Sequence, residues 1–375
     1  MTILKRSWQS WLALALVLAA LATLPLLSAE APIAYKPIRM FSIFVLTIGA
    51  TVISLLPLPP VFVAVTLLVC AHFSTGLLIS RLAGNEGMAS TAFFFILAAN
   101  WLLAWRCVSI LSELRLRSKT VDGLLRLIIP AIFGAWILIL WEAVTRGFGI
   151  PFIILPPPSA IGARLASSIP TLWADVQQTV FKAVIVGYVV GCASGFAVAI
   201  LADRIAFFRR GLLPIANLMS ALPIIGVAPI MVMWFGFDWQ SKAAVVIVMT
   251  FFPMLVNTIA GLSAAGSMER DLMRSYASNY WQTLTKLRLP AAMPFIFNAL
   301  KINSTLALIG AIVAEFFGTP IVGMGFRIST EIGRMNVDMV WAEITVAAFV
   351  GSIFYGVVAL GERALTFWHP SNRGG

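Results

Sequence analysis

Charge is scarce in this chain. Only 11% of its 375 residues are Asp, Glu, Lys or Arg, against about 25% in an ordinary soluble domain, and that excludes a globular surface facing water on all sides. Histidine occurs twice, at His72 and His369, so no histidine-based metal centre can be drawn. Cys70, Cys107 and Cys192 are odd in number and isolated in apolar stretches. That pattern excludes a disulfide framework and reads as three buried thiols. The dipeptide Gly-Lys never occurs, which removes the phosphate-binding loop G-x-x-x-x-G-K-[ST]. No catalytic residue, cofactor or metal is therefore expected, and any chemical energy must come from a separate polypeptide.

Apolar length is what the chain has in abundance. It is 60% hydrophobic, with a mean hydropathy of +0.96. A helix needs about 20 apolar residues to cross hydrocarbon about 30 Å thick. Ten candidate spans can be placed, near 10–28, 39–57, 60–80, 90–111, 127–145, 177–201, 212–235, 242–264, 294–316 and 339–361. The expected fold is an all-α polytopic membrane protein. With ten spans both termini lie on one side. Sixteen of the 26 Lys and Arg then fall on that side and nine on the other, with Lys301 unassigned. Lys and Arg favour cytoplasmic connections, which places both termini on the cytoplasmic side of the membrane. The same bias accounts for the net charge of +11, so lipid rather than nucleic acid is the expected surrounding.

Three sections are expected: a four-helix membrane extension over 1–112, a charged cytoplasmic linker over 113–126 (ELRLRSKTVDGLLR), and the main membrane domain over 127–370. Lys5-Arg6, an apolar run and Leu27-Ser28-Ala29-Glu30-Ala31 also have the form of a cleavable signal. An uncleaved anchor is preferred, because three more hydrophobic segments follow it. Pro156-Pro157-Pro158 is stiff, and Ser159 is placed to cap a short helix through Ala166. Gly187, Gly191 and Gly195 recur at four-residue spacing, which lets helix backbones approach closely. That approach serves either a moving contact or ordinary packing.

Pro214, Pro223, Gly226 and Pro229 interrupt the seventh span, and Pro253 interrupts the eighth, with Asn257 one turn on. Breaks of this kind are tolerated where a helix lines protein or a watery cavity. Pro223, Pro229, Pro253 and Asn257 are candidate pathway residues, and packing kinks explain them equally well. Few charges lie inside spans. Glu142 sits at an outer end, Lys301 is placed to snorkel, and Glu315 is either a gate residue or the partner of Arg327 or Arg334. His72 reads as a hydrogen-bonded rather than a ligating side chain. So few buried carboxylates argue against an ion-coupled secondary transporter, the alternative reading; a non-transporting membrane scaffold is a third.

The longest polar run of the second half is Ser267–Pro294, SMERDLMRSYASNYWQTLTKLRLPAAMP. Leu272, Met273, Tyr276 and Tyr280 recur at helical spacing, as do Leu284, Leu287 and Leu289. Two short amphipathic helices with a break near 277–279 fit the pattern, and they make a docking surface.

That stretch resembles the cytoplasmic signature of the permease subunits of binding-protein-dependent ABC importers, E-A-A, three residues, G, nine residues, I-x-L-P. Asp271-Leu272-Met273 stands at E-A-A, Ala277 at the glycine and Leu287 before Leu289-Pro290. Leu155-Pro156-Pro157-Pro158-Ser159-Ala160 is similar to a segment of the nitrate/sulfonate/taurine branch. So are Ala221-Leu222-Pro223 through Ala228-Pro229, Trp234-Phe235-Gly236-Phe237, Phe251-Phe252-Pro253 with Asn257-Thr258 and Gly261-Leu262, and Ala314-Glu315-Phe316-Phe317. The closing Phe367-Trp368-His369-Pro370-Ser371 resembles relatives for thiamine-precursor pyrimidines or riboflavin. The resemblance covers roughly 125–370. It implies a type I importer core of six helices, preceded here by four extra, that moves a small organic anion or heterocycle by alternating access. It further implies a cytoplasmic ATPase subunit, a periplasmic solute-binding protein and a second permease subunit. Glu269, Asp271, Arg274, Tyr276, Ala277, Tyr280, Trp281, Leu289 and Pro290 would form the ATPase-coupling loop. Asp271, or Glu269 beside it, would pair with a basic residue, and Tyr276, Tyr280 and Trp281 would supply apolar contacts.

Overall fold

The computed structural model describes residues 8–28, 37–114, 119–219, 223–318 and 321–368. Lys5, Arg6, Arg115, Arg117, Ala221, Leu222, residues 29–31 and 369–371 lie outside them. The described residues are helical, with one isolated bridge between Leu27 and Ala89. Among the described residues, seven helices are long and apolar enough to cross a membrane, and Trp8–Ala22, Met40–Leu55 and Ile224–Phe235 are shorter apolar helices. In hydrocarbon every backbone N–H and C=O must find its partner inside the chain, and helices do this segment by segment.

Backbone contacts divide the chain into two units, Met1–Ala160 and Ile161–Gly375. In the first, the helices Trp8–Ala22, Pro37–Leu55, Pro60–Ile79 and Thr91–Glu113 pack on one another, and Lys119–Gly147 packs on the fourth. Ser74, Thr47 and Asn100, all fully buried, tie three of these helices together. Thr47 Oγ1 lies 2.8 Å from Ser74 Oγ and donates to Asn100 Oδ1 at 3.2 Å, while Asn100 Nδ2 donates to Ser74 Oγ at 3.1 Å. His72 lies 2.6 Å through Nδ1 from the Leu68 carbonyl and meets the Trp136 ring edge-on. Ser159 donates its N–H and its hydroxyl to Glu142 at 2.8 and 2.7 Å, at the start of the helix Pro158–Ser167. The helix Lys119–Gly147 begins within the charged stretch 113–126.

Three helices make the core of the second unit. They are α1 (Ile169–Arg204), α2 (Trp239–Ser263) and α3 (Tyr280–Glu315). α2 packs along both of the others. The glycine stripe of α1 is the reason α2 can approach. A Cβ at Gly187 would stand 2.5 Å from Val246 Cβ, one at Gly195 2.5 Å from the Phe251 carbonyl, and one at Gly191 would collide with Thr250 Oγ1. The stripe is therefore an internal contact within this unit. α1 and α3 each run 36 residues, about 54 Å at 1.5 Å per residue, so both outreach the hydrocarbon. The seventh expected span, 212–235, is instead two helices, Ala206–Met219 and Ile224–Phe235. Pro223 stands at the N-cap of the second, with φ −69° and ψ 115°, where a missing N–H costs nothing. α4 (Met324–Gly333) and α5 (Val337–Leu365) complete the unit.

Gly191→Val is expected to destabilise the purified protein by about 1–3 kcal/mol, the usual range for overpacking, read as a lower thermal midpoint. Gly356→Ala, where nothing lies within 4 Å of the added carbon, should leave the midpoint in place.

Candidate functional site

The polar run forms a helical hairpin whose tip is exposed and whose base is not. Its first arm, Ser267–Ser275, carries Glu269 in the first turn and Arg274 in the last, the order the helix dipole favours. Met268 is 82% exposed and Tyr276 78%, and the Asp271 side chain is 69% exposed. Asp271 pairs with Arg274 at 3.3 Å, a surface contact worth little by itself. Ala277 closes the arm with φ 54°. Its N–H donates to the Arg274 carbonyl at 2.9 Å, and the Ser278 N–H donates to the Met273 carbonyl at 3.0 Å. These are the two bonds of the left-handed helix ending that usually takes glycine, so alanine adopts the glycine geometry at about 1–2 kcal/mol of strain.

The second arm is the start of α3 itself. Asn279 accepts from the Gln282 N–H at 2.8 Å, and Gln282 Oε1 accepts from the Asn279 N–H at 2.9 Å, a reciprocal cap that fixes where α3 begins. A wide π turn over Leu284–Arg288 follows, just ahead of the half-buried Leu289 and Pro290. Proline has no N–H to give a regular turn, and a local widening is where helices accommodate such breaks.

An ion pair anchors this base. Arg288 grips Asp203 through both terminal nitrogens at 2.6 Å each, and its Nε donates to the Leu262 carbonyl at 2.9 Å. The Asp203 side chain is 2% exposed. Tyr280 donates its hydroxyl to the same carboxylate at 3.1 Å, and the Arg204 guanidinium lies 5.7 and 5.6 Å from the Tyr280 and Trp281 ring centres. One side chain thus binds α1, α2 and α3 at a single point. Tyr280 belongs to this anchor more than to the exposed face, while Trp281 keeps 52% of its surface free. The sequence reading missed Asp203 altogether; its signal was a lone acid at the end of an apolar span.

The opposite ends of α1 and α3 meet as well. Thr179 donates its hydroxyl to Glu315 Oε1 at 2.7 Å. From there three side chains cap the N-terminus of α4: Gly323 N–H donates to Asp175 Oδ1, Met324 N–H to Thr179 Oγ1 and Gly325 N–H to Glu315 Oε2, at 2.7, 2.9 and 2.7 Å. A helix start leaves such donors without internal partners, and carboxylates suit its positive end. Arg327 closes the cluster on Asp175 at 2.8 Å, a hydrogen bond that raises its proton affinity. For Glu315 the alternative to a gate role was a pairing with Arg327 or Arg334. It makes neither pairing, because Arg327 is committed to Asp175 and Arg334 to Glu331 at 3.1 Å. Lys301 pairs with Glu362 at 2.8 Å where snorkelling was expected. Buried carboxylates are also not scarce, since Asp175, Glu315 and Glu343 are 0, 2 and 0% exposed.

The candidate pathway residues lie on three neighbouring helices. Pro253 lines a cavity of about 90 Å³ with Ile224, Val227, Met249 and Leu306, and Asn257 donates to the Pro253 carbonyl at 2.8 Å. Pro229 lies inside Ile224–Phe235, and Glu315 belongs to the capping cluster at the start of α4, although their neighbours Ala228 and Ala314 pack in one cluster with Val245. A groove of about 610 Å³ between α3 and α5 is lined by Leu308, Ile312, Ile344 and Ala347 among others. That lining suits lipid or another helix better than a small anion.

Residues 191–367 match the family described as binding-protein-dependent transport system inner membrane component. That match and the relatives below support a permease subunit of a binding-protein-dependent ABC importer. The match falls within the second unit, so the exposed hairpin and both polar ties lie on a transporter permease, a multi-pass membrane protein. The permease resembles the riboflavin transport system permease RibX of Chloroflexus aurantiacus, 29% identical over 63% of this chain and 88% of the relative. It resembles the formylaminopyrimidine transport permease ThiX of Halalkalibacterium halodurans at 27%, over 64% and 95%. It resembles a putative aliphatic sulfonates transport permease, SsuC of Bacillus subtilis, at 28%, over 66% and 88%. Such a subunit implies ATPase and binding-protein partners in general.

Replacing Arg288 by Ala strands the Asp203 charge and is expected to cost about 3–5 kcal/mol of stability. Asp271→Ala, at an exposed site, should stay within about 0.5 kcal/mol. Thermal unfolding of the two variants side by side checks this order.

Proposed function

We propose that this permease is driven by ATP hydrolysed on a separate cytoplasmic subunit, which grips the hairpin 267–290 from the inner face. The exposure of the hairpin tip on a rigid buried base carries this reading: Met268, Leu272, Tyr276 and Trp281 offer an apolar surface, with Glu269, Asp271 and Arg274 around it. Asp271, with Glu269 beside it, supplies the acidic contact to a basic groove. Ala277 takes the turn where the family carries glycine. Leu289 and Pro290 join the handle to the membrane part of α3.

Alternating access follows from that attachment. Two such permease subunits, most simply identical copies, move as rigid bodies when the ATPase pair closes, and the cavity between them opens toward a periplasmic solute-binding protein. Both termini then lie in the cytoplasm. The transport domain takes in 127–370, and the four helices of 1–112 form an added membrane extension joined to it by the stretch 113–126. Pro223, Pro229, Pro253 and Asn257 are carried forward as pathway candidates, since broken helices beside a cavity leave backbone groups for a solute. The solute is a small organic anion or a pyrimidine-like heterocycle. The relatives named for riboflavin and formylaminopyrimidine support the second class. Now that several buried carboxylates are known, the case against ion-coupled transport rests on the family match and the hairpin, not on the scarcity of buried acids.

Asp271→Arg should abolish co-isolation of the partner ATPase from detergent-solubilised membranes while leaving the amount of inserted permease unchanged. Recovery of the ATPase in wild-type amounts would remove Asp271 from the contact.

A further inference from the structure

The first unit has a cavity of its own, at the turn between its second and third helices. Ser54, Leu58, Pro60, Arg106 and Glu113 are among the residues that line a space of about 320 Å³, the volume of about ten waters. Three helices that pack on one another meet there: Pro37–Leu55 ends beside the cavity, Pro60–Ile79 begins in its wall, and Thr91–Glu113 ends in it.

Two opposite charges share one stripe of the cavity wall. Arg106, Ile110 and Glu113 are spaced by four and then three residues, which puts them on one face of Thr91–Glu113, and all three line the space. The charged pair is seven residues apart, about 10 Å along the axis. Arg106 already makes a contact within the chain, and its five donors leave others for a ligand. The helix ends add to the same polarity. No side chain caps the start of Pro60–Ile79, so an unshielded positive dipole end stands in the wall that Arg106 shares. The other two helices bring their C-termini, the negative end of the dipole, on the Ser54 and Glu113 sides. Ser54, 7% exposed, donates its hydroxyl to the Thr51 carbonyl at 2.7 Å and keeps its oxygen as an acceptor.

A simple anion in this space would meet Glu113 and two negative helix ends, and a simple cation would meet Arg106. A zwitterion satisfies both poles. Pro60–Ile79 and Thr91–Glu113 are each long and apolar enough to cross a membrane, so their ends stand at the depth of lipid headgroups. Leu56 and Leu58, 49% and 38% exposed, line the same cavity and give acyl chains an apolar surface beside it.

We propose that this cavity binds the headgroup of a phosphatidylethanolamine-type lipid. Its phosphate sits on Arg106, in the paired geometry a guanidinium favours, and at the start of Pro60–Ile79. Its primary ammonium donates to Glu113 and Ser54. The bound lipid then joins three helices at their ends.

Native mass spectrometry tests this on the purified full-length protein, stripped of lipid and titrated with phosphatidylethanolamine or phosphatidylglycerol. Wild type should retain one phosphatidylethanolamine per chain, about tenfold tighter than phosphatidylglycerol, the scale of one hydrogen bond to a charged group. Glu113→Gln should erase that preference by weakening phosphatidylethanolamine alone, and Arg106→Gln should weaken both lipids. Equal affinity of wild type for the two lipids, or an unchanged preference in Glu113→Gln, overturns the proposal. Many lipids per chain, altered by neither variant, would be annular lipid only and overturns it as well. If Arg106→Gln does not fold, Glu113→Gln decides alone, since that side chain is exposed. The measurement needs neither a solute nor an ATPase, so a negative result leaves the proposed function standing.

Discussion

The second unit depends on the Asp203–Arg288 ion pair and its counterpart between Thr179 and Glu315. These ties join the same two helices, α1 and α3, at opposite ends. Along α1 they are 24 residues apart and along α3 27, about 36 and 40 Å of helix, more than the hydrocarbon between. Midway, Tyr188 donates to the Leu300 carbonyl at 3.0 Å, and the buried Asn303 donates to the Thr250 carbonyl at 2.7 Å. α2 fills the space alongside, admitted by the glycine stripe. Close-packed interiors shift between discrete arrangements more readily than they bend. A push on the hairpin must therefore either break a buried charge pair or carry both helices together.

The hairpin is suited to that load because it is not a separate module. Its second arm is continuous with α3, which runs to Glu315 at the capped end of α4. The departures from the family signature are small in this light. Ala277 reaches the left-handed geometry that glycine would occupy more easily, and the Asn279–Gln282 cap restores local order one residue later. Among the described residues of this unit, the groove beside α5 is apolar and the space near Pro253 is small.

Much of the fold was legible because its causes are local. Twenty-residue apolar runs mark spans, Pro60 marks a helix start, and the polar run between Gly266 and Pro290 marks a hairpin. The seventh span misled because its mean hydropathy is high across Pro223, while a proline at a helix start separates two shorter helices. The site was half legible. Exposed residues such as Asp271 and Tyr276 follow from the signature and its spacing. The anchor does not, since Asp203 and Arg288 are 85 residues apart and meet only through tertiary packing. Asp175 and Glu343 escaped for the same reason. A single acid near the end of an apolar span has no periodicity to betray it, and its partners arrive from helices far along the chain.

The most direct test of the two-rod account is amide hydrogen exchange on purified permease carrying Asp203→Asn, compared with wild type. If α1 and α3 transmit between their ties, weakening the hairpin anchor should speed exchange at the Gly323, Met324 and Gly325 amides, at the far end, as well as near Leu284–Arg288. Faster exchange confined to the hairpin, with the far cap unchanged, would contradict the account.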